Sequence, residues 1–137
     1  MTQYLEVAQA DEWGCAAACV ASLVGASYDQ ALKWLEHEKG KRADQRPKGF
    51  EIDEIAHALF AQGVKVVADW YPPDSIPEGS ILCIHGPGRY QYYHYVLKVP
   101  GGYMDPWVDL EPGRMKASIR TSLPGETSVY VALLRTS

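Results

Sequence analysis

The sequence predicts an α+β domain, with helices first and a largely antiparallel sheet after them. Three observations point there. The first half carries three apolar patterns of helical type, each closed by a glycine. The second half carries five short runs rich in β-branched and aromatic residues, and no helical pattern separates them. Strands that follow one another directly pair antiparallel. At 137 residues the chain has the size of one domain, 1–137, and neither a linker nor an internal repeat divides it.

The first helix begins at Cys15. The run CAAACVASLVG is rich in Ala and apolar on nearly every face, which makes it a central, buried helix ending at Gly25. Ser27 followed by Gln30 has the form of a capping box and opens a second helix over 28–39, stopped by Gly40. Residues 40–49 form a polar loop. A third helix over 51–62 carries Ile52, Ile55, Ala56, Leu59 and Phe60 on one stripe and stops at Gly63. Strands are expected over 64–70, 80–85, 91–99, 102–105 and 128–135, parted by turn residues.

Composition removes several functions. A net charge of −4, with the 13 Lys and Arg scattered, disfavours a nucleic-acid partner. No apolar run approaches the ~20 residues that span a bilayer, so no membrane partner is expected. The N-terminus, MTQYLEVAQADEW, lacks the pattern of a secretory signal. A cytoplasmic location is therefore expected, with export by a non-classical route left open. Three cysteines do not build a disulfide framework, and in a reducing setting an unpaired Cys is core filler or a reactive thiol. The spacing of Cys15 and Cys19 lacks the second ligand pair of a zinc site. Neither metal nor organic cofactor is expected.

Cys15 follows Gly14 at a helix start, where free N–H groups and the positive end of the dipole favour a thiolate. Cys19 and Cys83 sit among apolar neighbours and read as core. A thiol nucleophile needs a base. His37 and His57 read as solvated, and His85 closes a strand. His94 lies inside the aromatic run YQYYHYVLKV, sharing a face with Tyr92, Val96 and Lys98. A hairpin turning at PGG brings Asp105 near His94 as the group that orients the imidazole, with Asp109 as the competing acid. Trp13, Tyr90, Tyr92, Tyr93 and Trp107 either line a groove for an extended peptide or belong to the core.

Taken in order, Gln9-x5-Cys15-x-x-Ala18-Cys19, the helical stretch GFEIDEIAHALFAQGVKV, His94-Tyr-Val-Leu-Lys-Val and Asp105-Pro106 resemble one known family. It is that of the papain-like peptidases that process double-glycine leader peptides of bacteriocins, with their stand-alone relatives. The resemblance covers roughly residues 5–110. It implies a papain-like fold, Cys15 as nucleophile, His94 as base and Asp105 as its orienting acid. It also implies that Gln9 forms the oxyanion hole, and it puts His85 where those proteins often carry a non-catalytic His. The family usually reads Asp-Cys-Gly at the nucleophile, whereas this chain reads Gly14-Cys15-Ala16. What the resemblance carries is the catalytic apparatus and not the leader-processing role. The expected function is a cysteine hydrolase acting on a peptide or isopeptide bond of a peptide or protein substrate. Deamidation, transglutamination or a toxin-type modification of a protein is the alternative, and a silent binding module is the alternative from another class. No cognate inhibitor or immunity protein is legible.

Overall fold

The computed structural model describes residues 4–136. Helices α1 (Cys15–Val24), α2 (Tyr28–Lys39) and α3 (Ile52–Ala61) come first. Strands β1 (Val66–Asp69) and β2 (Ile81–His85) precede a 3-10 turn at Gly88–Tyr92. Then come β3 (His94–Val99), β4 (Gly102–Asp105), β5 (Ser118–Arg120) and β6 (Ser128–Arg135). All six strands join one antiparallel sheet in the order β1-β6-β2-β3-β4-β5. No helix among the described residues is long and apolar enough to cross a membrane.

The helices pack on one face of the sheet. Helix α1 is buried along Cys15–Leu23, and its run of Ala residues lets neighbouring backbones come close on every side. Its core partners include Leu35 of α2, Ile55 and Leu59 of α3, and Ile81, Leu97 and Leu133 of the sheet. Leu82, Ile84, Val96 and Ala132 form a second, smaller cluster. Gly25 and Gly40 end α1 and α2 in the left-handed conformation, which glycine adopts without a Cβ clash.

The structure departs from the sequence reading at four places. The strand expected over 91–99 begins only at His94, because residues up to Tyr92 curl into the 3-10 turn, so Tyr92 is not on the strand face of His94. β5 was not expected: three residues are too few to show a period. Ser27 accepts the Gln30 N–H at 3.1 Å, one half of a capping box, while Glu51 and Glu54 make the full reciprocal box on α3. Phe60 is 67% exposed; Ala58 takes its expected place in the core beside Ile55 and Leu59.

The polar loop after α2 is built around one ammonium group. Lys39 Nζ approaches the carbonyl oxygens of Ala43 (3.3 Å), Gln45 (2.8 Å), Pro47 (2.6 Å) and Gly49 (2.9 Å). It also sits 5.5 Å from the ring centre of Phe50. Carbonyls that converge repel one another unless a cation lies between them, so Lys39→Met should open this loop. We expect amide exchange over 41–49 to accelerate while α1 stays protected, with a stability loss of about 1–3 kcal/mol. Unchanged exchange in the loop would refute the ammonium's role.

Candidate active site

Cys15 is the first residue of α1, 8% exposed, and opens into a cleft of about 1110 Å³. His94, first residue of β3, opens into the same cleft. The hairpin from β3 to β4 pairs Leu97 with Met104, Lys98 with Tyr103 and Val99 with Gly102. That register leaves Asp105 at the end of β4 diagonal to His94, with no exposure to water. The His94 Nε2–H donates to Asp105 Oδ1 at 2.6 Å. The other ring nitrogen, Nδ1, is then the one left for the hydrogen bond between His94 and the Cys15 thiol.

Gly14 leaves room for the Tyr28 side chain: a Cβ built there would lie 2.0 Å from the Tyr28 hydroxyl, so a larger residue requires that ring to move.

The electrostatics of the pair agree with its geometry. Burial disfavours a charged imidazole, but the hydrogen bonds to Asp105 and Cys15 and their negative charges outweigh it, and His94 is pushed up to about 9. Burial likewise raises Asp105, yet the His94 contact, the Trp107 N–H and Arg120 outweigh it and hold the carboxyl below its ordinary value. Burial pushes the Cys83 thiol up to about 12 and the Cys19 thiol well above its usual value. Both stay protonated and inert.

Arg120 is a member of this cluster that sequence reasoning missed. Its Nε–H donates to Asp105 Oδ2 at 2.8 Å, and its guanidinium also reaches the Val108 carbonyl. The Trp107 N–H donates to Asp105 Oδ1 at 3.1 Å, so both carboxylate oxygens are occupied. Tyr90 hydrogen-bonds Arg120 and meets the His94 ring edge-on at 6.1 Å. No local sequence signal marks it, because Arg120 reaches Asp105 only through the pairing of β5 with β4.

The remaining expectations sort cleanly. Gln9 is buried, its backbone N–H donates to the Pro106 carbonyl at 3.3 Å, and its Nε2 donates to the Asp11 carbonyl at 2.7 Å. It is not among the residues that line the cleft. Among the described residues, Oε1 has no hydrogen-bond partner and Nε2 makes this one bond, leaving its second amide hydrogen for another acceptor. Asp109 is exposed and accepts the Glu111 N–H at 3.2 Å, so it is not the partner of His94. His57 is on the surface, 3.9 Å from Glu38, and His37 is exposed. His85 stacks on Tyr93 at 4.6 Å. Trp107 is buried, while Tyr92 and Tyr93 are exposed on the cleft.

A solved structure shares this arrangement of helices and sheet. The peptidase domain of Streptococcus ComA, a bi-functional ABC transporter involved in a quorum-sensing pathway, is similar with a TM-score of 0.55. The match covers 97% of this chain and 98% of that one at 18% identity. The fold is papain-like. No family model matches the chain, and no curated protein matches it. The likeness therefore lives in the path of the backbone, and the site must be argued from its own residues.

Two outcomes follow from the electrostatics. His94 contributes its stabilisation in full below pH 6.5 and loses it as pH rises through about 9. Asp105 contributes above 3.8 and loses its share as pH falls further. Urea unfolding should thus show a plateau between these limits and an alkaline decline of the order of 3 kcal/mol. His94→Gln should flatten the decline; an equal decline in that variant would assign it to other groups. Arg120→Ala should cost about 1–3 kcal/mol by leaving one Asp105 oxygen unpaired, and a neutral result in the same unfolding measurement would show that the pair carries no net stability.

Proposed function

We propose that this protein is a cysteine hydrolase that cuts a peptide or isopeptide bond. The observation that carries the reading is the linkage of Cys15 and His94, at the wall of one cleft, with the buried Asp105 behind them, brought together from α1, β3 and β4. The likeness to a peptidase domain supports the same class.

The Cys15 sulfur attacks the substrate carbonyl with its proton already held on His94 Nδ1, the imidazolium that the raised His94 value favours at neutral pH. Asp105, already accepting from Nε2–H, stabilises the imidazolium, and Arg120 and the Trp107 N–H keep its carboxylate in place. The Cys15 backbone N–H and the free amide hydrogen of Gln9 hold the oxyanion. His94 then protonates the leaving amine, and a thioester remains on Cys15. Water, deprotonated by His94, hydrolyses that thioester.

The test is intact-mass analysis of candidate proteins incubated with the native protein and with Cys15→Ala. Chain cleavage with uptake of water, lost in Cys15→Ala, is the expected result. Conversion of a carboxamide to a carboxylate would move the reading to deamidation. Iodoacetamide should label Cys15 well before Cys19 or Cys83, whose thiols burial keeps protonated. Gln9→Ala should lower kcat by about 10²–10³ with KM little changed. An unchanged kcat with a raised KM would make Gln9 a substrate contact instead.

A further inference from the structure

Four aromatic rings form a row across the sheet, one of them on Tyr93, the residue before His94. Trp70 directly follows β1, Tyr130 lies on β6, His85 ends β2, and Tyr93 directly precedes β3. Those strands are neighbours in the order β1-β6-β2-β3. Ring centres are 5.3 Å apart for Trp70 and Tyr130, 5.0 Å for Tyr130 and Tyr93, and 4.6 Å for Tyr93 and His85. Trp70, Tyr130 and Tyr93 line the cleft that holds Cys15, yet remain 52%, 48% and 45% exposed.

Two of these rings are aimed by irregular backbone. β6 pairs Val131 with Cys83 and Val129 with Ile84, so Tyr130 is the extra residue of a β-bulge. Tyr93 has φ 64° and ψ 144°, a conformation that costs a residue with a Cβ of order 1–3 kcal/mol. Neither irregularity buries its ring. A bulge and a strained residue that place apolar surface in water beside a candidate nucleophile point to a ligand that covers it.

We infer that this row is the substrate's side-chain subsite, and that the substrate is an extended polypeptide segment with aromatic or large aliphatic residues at alternate positions leading to the scissile bond. The inference rests on the proposed function and deepens it. Side chains on one face of an extended chain recur about every 6.7 Å, so three of them span roughly the length of the row. The rings that line the cleft meet at 89° and 64°, which makes notches that take side chains and no flat platform for a sugar ring. Three rings of the row line the same cleft as Cys15 and His94, and Tyr93 directly precedes His94 in the chain, so a segment seated on them lies in the cleft that holds Cys15.

Acetylated tetrapeptide chloromethyl ketones test this without a known substrate. In labelling, the Cys15 sulfur displaces chloride and forms a thioether with the ketone's methylene carbon. One reagent carries Phe at alternate residues, and the other carries Ala there. The Phe reagent should label Cys15 roughly tenfold faster. That ratio should fall towards one in Tyr130→Ser and in Tyr93→Gly, the second of which removes ring and strain together and so keeps the fold. A ratio near one in the native protein overturns the subsite, as does a ratio left unchanged by both substitutions. Iodoacetamide, which has no side chain to seat, separates the two readings. If it labels Cys15 no faster than Cys83, the proposed nucleophile fails. If it labels Cys15 first but the Phe reagent shows no advantage, only the subsite fails.

Discussion

A carboxylate with no access to water stays charged only if the chain around it supplies donors, and Asp105 is such a carboxylate. Its donors come from the β3 side of the hairpin (His94), from the turn after β4 (Trp107 N–H) and from β5 (Arg120). Satisfying it therefore pins three neighbouring elements to one point. β4 approaches β5 so closely there that a Cβ on Gly102 would meet the Arg120 carbonyl oxygen. The imidazole at the cleft is oriented by this arrangement beneath it.

The thiol is placed by a different force. Helix α1 is buried all round, so its position is set by packing on α2, α3 and the sheet, without a polar stripe to fix its rotation. Its small residues let it sit deep, and its first turn emerges where β3 begins. Cys15 and His94 meet because a helix end and a strand start coincide. The ComA peptidase domain shares the overall fold at 18% identity, as expected of an architecture that depends on residue size and burial more than on particular side chains.

Sequence reading reached what is local and periodic. The three helices were legible from their glycine stops and apolar spacing, and the hairpin that couples His94 to Asp105 from a turn between two β runs. Features built by distant residues were not legible. Arg120 meets Asp105 only because β5 pairs with β4, and nothing in a three-residue strand announces that pairing. The ring row joins residues from four strands and needs the strand order, which alternation cannot give. The Lys39 cage lies in a loop that looked merely polar, because backbone carbonyls leave no mark on composition. Phe60 fitted the stripe of α3 but stays in water, since Ala58 and Leu59 already complete that contact.

The strand order also dictates when the cleft can exist. β6, the most C-terminal of these strands, lies between β1 and β2, and among the described residues it is the one strand that pairs with β1. Helices and the β2–β3–β4 ladder can form as they emerge from the ribosome, but β1 must wait for a partner more than sixty residues away, as in the pairing of Val67 with Leu134. Until then the wall that carries Trp70 and Tyr130 has no shape. A nascent chain thus holds Cys15, His94 and Asp105 before it holds that wall of the cleft, and the cleft takes shape well after the three side chains are made.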